Sequence, residues 1–341
     1  AYEMSTSDWS SDVCSSDLLH TYTIVDAIND GNVLPFRIDY INTVKSRNDM
    51  EDKDVSSIDT ECALAAPERV SEIVGYILEH FDQKTKRNSF YSLKGQRIAG
   101  FNSIFAVSSI PMAMKYYSEF KKKLAERGRK LTVATIFSYS ANEADPEDTL
   151  PEESFEMDAL DQTSRDFLED AIRDYNADFG TSFDTSADKF QSYYKDLSQR
   201  MKNREIDLLI VVNMFLTGFD ATTLNTLWVD KNLRMHGLIQ AFSRTNRILN
   251  SVKTYGNVVC FRNLQKETDE AIALFGDKEA GSIVLLKNFD AYYYGYDEGG
   301  KNHRGYIELL EELEMKFPVG QPIIGEQNQK DFVNQDRKSV V

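Results

Sequence analysis

Cysteine is scarce in this chain, and its three positions, Cys14, Cys62 and Cys260, lie far apart. That excludes a disulfide framework and a Cys-x-x-Cys metal knuckle, and makes a reducing, cytoplasmic setting the expectation. Histidine is scarce too. His20, His80, His236 and His303 are scattered with no HxxxH pair, so their spacing points to no metal site. No run of about 18 apolar residues is present to span a membrane, and no stretch has the composition of a secretory signal. Basic residues are in deficit, with 39 Lys and Arg against 55 Asp and Glu and a formal net charge of −16. The deficit is local, because Asn142 to Asp184 holds fifteen acidic residues and two basic ones. The rest is close to neutral, so polyanion binding elsewhere is not excluded. We read Asn142–Asp184 as an exposed acidic insertion with a helix near Ser164–Tyr175.

What is present is core material: 41% of the 341 residues are hydrophobic, enough for two domains of about 150 residues or for one larger α/β domain with an appendage. Strand patterns at Ser103–Ser108, Leu131–Phe137, Asp207–Asn213, Asn225–Val229 and Asn257–Phe261 alternate with helical ones. The helices are expected at Pro111–Arg127, Asp188–Asn203, Leu238–Leu249 and Thr268–Phe275. Pro67 opens a further helix with Val70, Ile73, Val74, Ile77, Leu78 and Phe81 on one face. Such alternation implies a parallel sheet covered by helices, and the unbroken apolar run LLIVV marks a buried central strand. Upstream, PFRIDYINTV alternates well enough for a strand within a region read as a linker (19–66). After Phe275 the strands stop and a mainly helical region (266–335) is expected, including Tyr306–Lys316, with the aromatics of Asn288–Tyr296 packed between helices.

The two ends have a different look. Asp8–Leu18, DWSSDVCSSDL, equals the in-frame translation of a short-read sequencing adapter. Asp336–Val341, DRKSVV, translates a string carrying the reverse complement of the same core. Residues 1–18 and 336–341 are therefore set aside as artefactual, and the sequence is expected to be a truncated piece of a longer protein.

Two motifs carry the chemistry. Asn213-Met-Phe-Leu-Thr-Gly-Phe-Asp220 follows the buried strand directly, where ligands of parallel sheets commonly bind. There Thr217 and Asp220 offer a hydroxyl and a carboxylate, and Gly218 lets the backbone approach closely. Gln240-Ala-Phe-Ser-Arg-Thr-Asn-Arg247 opens a helical stretch, which puts Arg244 and Arg247 on one face at i and i+3. Two such forks suit a triphosphate whose oxygens gain charge in the transition state. A helix-capping Asp and a surface arginine pair are the plain alternatives to these readings.

The order strand, NMFLTGFD, strand, QAFSRTNR resembles the second RecA-like motor domain of superfamily 2 helicases and translocases. Together with LHTYTIVDAINDGNVLPFRIDY upstream and KFPVGQPIIGEQNQKDFV downstream, it is similar to the restriction (R) subunit of type I restriction-modification enzymes, over Leu19 to about Asn334. The resemblance implies an α/β fold with a RecA-like parallel sheet and flanking helices at 67–265, followed by the start of a helical domain. It implies ATP with Mg2+ as cofactor, coupled to translocation along double-stranded DNA before cleavage. It also implies modification and specificity subunits as partners. Arg247 matches the arginine finger, Arg244 its companion and Gln240 the glutamine of the same motif. Gly218 and Asp220 match the pair that couples nucleotide to DNA, Thr217 a contact to the DNA backbone, and Ser108 and Ser109 a further DNA-side motif. Ser243 stands where many helicases have Gly. The chain has no GxxxxGK[ST], no DExH-type tetrad and no convincing nuclease constellation. Those parts are expected upstream, and the fragment alone is expected to be inactive. Another superfamily 2 motor without nuclease, and a non-enzymatic α/β module that docks on a protein, remain the competing readings.

Overall fold

The computed structural model describes residues 22–41, 43, 63–137, 161–275, 284–286, 289–298 and 301–339. The adapter-like N-terminus and residues 142–160 of the acidic stretch lie outside them. In chain order the elements are α1 (Ile24–Asn29), β1 (Phe36–Tyr40), α2 (Pro67–Lys84), β2 (Phe90–Leu93), β3 (Gln96–Ala99), β4 (Asn102–Val107), α3 (Ile110–Arg127), β5 (Val133–Ile136), α4 (Gln162–Phe179) and α5 (Ala187–Lys202). There follow β6 (Leu208–Val211), β7 (Leu224–Asp230), α6 (Met235–Phe242), β8 (Gly256–Cys260), α7 (Gln265–Phe275), α8 (Phe289–Tyr294), β9 (Gly295–Glu298), β10 (Lys301–Arg304), α9 (Tyr306–Lys316) and α10 (Glu326–Ser339).

Six strands form one sheet in the order β1-β8-β7-β4-β6-β5, every neighbour parallel. The inner strands β4, β6, β7 and β8 are buried at every position, which is why they read as continuous apolar runs. Phe105 on β4 lies beside Trp228 on β7 and meets Tyr116 and Phe120 of α3 edge-on, so helix and sheet share one aromatic core. The expected strands fall within two residues of their observed bounds. The face of α2 foreseen from its spacing is buried throughout.

Four features differ from the sequence expectation. Phe36–Tyr40 is not in a linker but is the edge strand of the main sheet, registered residue for residue on Gly256–Cys260. Residues 161–184 are not an exposed insertion: Leu168, Ala171, Ile172 and Tyr175 of α4 recur at helical spacing and are buried, which leaves the carboxylates for the other faces. A hairpin of β2 and β3 turns at Lys94 and Gly95, both at positive φ (49° and 81°) as a type I′ turn requires. The region after Phe275 also holds an antiparallel pair, β9 with β10, among its helices. The backbone of α10 continues to Ser339, through part of the stretch set aside as artefactual.

Candidate functional site

The connection from β6 to β7 carries NMFLTGFD the length of the sheet. Asn213 stays at the C-terminal edge, where its Oδ1 accepts a short hydrogen bond from Lys231 just past β7. The chain then passes through positive φ at Phe215 (67°) and Gly218 (66°) and closes a tight turn, with the Phe219 amide donating to the Thr217 carbonyl at 2.7 Å. Phe215 and Phe219 pack edge-on at 4.7 Å and are buried, anchoring the loop in the core. Thr217 lies midway. Gly218 and Asp220 are exposed beside the start of β7, at the opposite edge from the one expected for a ligand loop.

The second motif arrives at the same edge. α6 ends at Phe242 rather than at Leu249, and Ser243 is its cap. The Thr245 hydroxyl then donates to the Phe242 carbonyl at 2.8 Å, and Thr245 and Asn246 are buried under the first residue of β8. A Cβ on Gly256 would sit 2.4 Å from Thr245 Oγ1 and 3.1 Å from the Asn246 amide, so only glycine admits this close approach. Arg244 and Arg247 therefore do not project from one helix face as expected. The two buried polar residues between them pull the backbone out of helical register.

Their partners differ accordingly. Arg244 donates through Nη1 to the Phe219 carbonyl (2.8 Å) and through Nε to the Gln240 carbonyl (3.0 Å), so it braces one motif against the other. Arg247 faces outward, its side chain 41% exposed, with Nε 3.4 Å from Asp220 Oδ1. That Nε is shielded from solvent yet makes no well-formed hydrogen bond among the described residues. The Asp220 carboxylate is 64% exposed. A third cation escaped the sequence reading: Lys253, fully buried, donates from Nζ to the carbonyls of Thr222 (2.9 Å) and Leu224 (2.7 Å). Burial pushes its pKa down to about 7, with Asp220 opposing and Arg247 and Lys86 adding to the shift.

Arg247, Arg244, Gln240, Gly218 and Asp220 are thus brought together. Ser108 and Ser109 are not; they follow β4 at the other edge, where Ser109 caps α3 by accepting from the Met112 amide at 3.4 Å. That edge holds a second unforeseen cluster. Asp230, wholly buried at the end of β7, accepts from Arg69 (2.6 and 2.9 Å), Tyr116 (2.6 Å) and Arg262 (3.2 Å). Burial raises its carboxyl pKa, and the Arg69 fork with Tyr116 and Arg262 outweighs that, holding it below the ordinary value. Next to it Lys231 is pushed down to about 8, chiefly by burial. The signal was visible as an Asp-Lys pair closing the apolar strand NTLWV.

Fold and site define a parallel α/β domain with one arginine on an exposed carboxylate and a second on the neighbouring backbone carbonyls at one sheet edge. Residues 99–263 match the family model described as type I restriction enzyme subunit R domain 3. The endonuclease subunit of the type I restriction enzyme SauMRSORF196P from Staphylococcus aureus (strain MRSA252) is 41% identical over 305 residues, which is 88% of this chain and 30% of that one. The corresponding subunit of SsaAORF53P from Staphylococcus saprophyticus is 46% identical over 278 residues, 80% of this chain and 28% of that one. A solved fragment put forward as an HsdR subunit of a type I restriction enzyme from Vibrio vulnificus YJ016 aligns with 79% of this chain and 39% of its own, at 15% identity and a TM-score of 0.44, a likeness too slight to carry weight. Over residues 99–263 the chain is similar to domain 3 of the type I restriction enzyme subunit R, and it spans about a third of the length of the curated relatives it matches.

Proposed function

We propose that this chain supplies one half of an ATP-driven DNA motor within a type I restriction subunit. Residues 67–265 with the strand at 36–40 would form the second motor domain, and 266–335 the start of a helical domain. The observation that carries this reading is the Arg247–Asp220 pair: a half-exposed guanidinium whose shielded Nε lies 3.4 Å from one exposed carboxylate without a well-formed hydrogen bond to it. A guanidinium so held exchanges a solvated partner for phosphate oxygens with little rearrangement, and gains most when those oxygens accumulate charge. Arg244 keeps its carbonyl partners and fixes the loop that carries Asp220. Gly218 presents open backbone, because a Cβ there meets nothing within 4 Å.

ATP with Mg2+ is the proposed cofactor, and the residues at this edge suit the phosphate end of a nucleotide held chiefly by another domain. Among the described residues no three His, Cys, Asp or Glu side chains converge on one point, and no residue of this edge is assigned to the metal. Double-stranded DNA is the proposed track, with Thr217, Ser108 and Ser109 as proposed contacts to it, and modification and specificity subunits are the proposed partners. No helix of the described residues is long and apolar enough to cross a membrane.

The decisive experiment is Arg247→Ala in the full-length subunit. DNA-stimulated ATP hydrolysis should fall by about 10³-fold or more, the range of arginine fingers, while DNA binding stays within about threefold, since phosphate contacts to DNA are made elsewhere. ATPase within about twofold of wild type would refute the assignment. The chain alone should show no ATP hydrolysis.

A further inference from the structure

The segment after α6 sends three cations across to one stretch entering β7. Arg244 reaches the Phe219 carbonyl, Arg247 the Asp220 carboxylate, and Lys253 the Thr222 and Leu224 carbonyls. We propose that Lys253 is a positioning residue of this site: its ammonium pins the stretch after Asp220 and draws on the Asp220 charge, so that Arg247 stays loosely held and free to move to a phosphate. This rests on the reading of Arg247 given above.

The placement of Lys253 is built in rather than incidental. Asn250 Oδ1 accepts from the amides of Val252 (3.0 Å) and Lys253 (3.1 Å), an Asx turn that aims the side chain inward. Lys86 fixes the far side of the turn by donating to the Val252 carbonyl (2.8 Å) and Thr254 Oγ1 (3.1 Å). Lys253 is 1% exposed, and among the described residues its ammonium has two carbonyl acceptors and no carboxylate within ion-pair distance. Burying a cation that way is costly, and a hydrophobic side chain would fill the space without that cost. What an apolar residue lacks is a charge beside the Arg247–Asp220 pair.

The charged groups that face Lys253 are Asp220, Arg247 and Lys86, of which the first favours its ammonium and the other two oppose it. A charged Lys253 therefore weakens the hold of Asp220 on Arg247. When the proton leaves, that competition ends, Asp220 holds Arg247 more tightly, and the arginine is less available. Activity should fall as pH rises.

The test is steady-state, DNA-stimulated ATPase of the full-length subunit from about pH 6 to pH 9. Wild type should show a descending limb in kcat above about pH 7 with the KM for ATP changed less than threefold, because positioning is lost rather than binding. Lys253→Met should cut kcat at the low-pH end about tenfold, leave KM within about twofold, and lack the limb. Lys253→Arg, charged throughout this range, should recover at least a third of wild-type kcat and also lack the limb. Wild type without a limb, Lys253→Met within twofold of wild-type kcat, or a wild-type limb persisting in either variant would each overturn the proposal. If Lys253→Met fails to fold, as judged by thermal melting, the wild-type profile and Lys253→Arg decide. Arg247→Ala in the same preparation separates the two assignments: retained ATPase sinks the reading of Arg247, whereas lost ATPase beside unaffected Lys253 variants sinks the role of Lys253 alone.

Discussion

Asp230 ties four parts of the molecule to one carboxylate. Arg69 comes from the first turn of α2, Tyr116 from α3 and Arg262 from beyond β8, while Asp230 itself ends β7. Arg69 adds donors to the Phe261 and Leu64 carbonyls and to Thr43 Oγ1, so its guanidinium is satisfied although 5% exposed. Removing ions from water costs several kcal/mol each, which good geometry and additional hydrogen bonds offset only while every partner stays in place. Asp230→Asn keeps the shape and removes the charge, leaving two buried guanidinium groups against a neutral amide. The expected loss is about 3 to 5 kcal/mol of unfolding free energy, the usual consequence of breaking a buried pair. Urea denaturation with an unchanged m-value would measure it, and a loss below about 1 kcal/mol would show that water reaches the cluster.

At the level of elements, the site depends on where α6 stops. Ile248 and Leu249 continue an apolar periodicity from Leu238, so the pattern alone extends the helix to Leu249; the structure ends it at Phe242 because Thr245 and Asn246 must pack under Gly256. Gly256→Ala places a methyl 2.4 Å from Thr245 Oγ1, and overpacking of this kind costs about 1 to 3 kcal/mol. Adding Thr245→Ala to it should return part of that loss, giving a non-additive double-mutant cycle, whereas strictly additive effects would show that the contact is not what strains the variant. The same contact explains what the sequence disclosed and what it hid. Buried parallel strands are written as apolar runs and could be read directly, and the two motifs were recognisable as a pair. A lysine in NSVKTYG reads as a solvated loop residue, because nothing local shows that two carbonyls from a segment thirty positions earlier lie over it. The hairpin at Lys94-Gly95 was missed for a related reason: its first turn residue is Lys at φ 49° rather than the usual Asn or Asp.

Across the whole molecule, β1 joins regions that the linear reading kept apart. Its inner edge pairs with β8, and on its outer side Phe36 bridges Leu285, with the Leu286 amide donating to the Phe36 carbonyl at 2.7 Å. The Leu34 amide also donates to the Asn246 carbonyl at 2.9 Å, which links the same segment to the loop bearing Arg247. Phe36 itself is 1% exposed and packs edge-on against Phe242, the last residue of α6. A motor domain that began at Pro67 would lose this strand, expose the backbone of β8 as an open edge prone to pairing with other chains, and free the loop that positions the arginines. Removing one buried phenylalanine from a core costs about 3 to 5 kcal/mol, a large share of the roughly 5 to 15 kcal/mol that stabilises an ordinary domain. A version starting at residue 67 should therefore melt at least about 8 °C below one starting at residue 22 and aggregate on concentration, by the usual conversion of free energy into melting temperature. Equal melting points and equal solubility would mean that the sheet closes without β1. In that case the segment before Pro67 would be the connector its composition first suggested, and the arginine loop would have to owe its position to Gly256 and Lys253 alone.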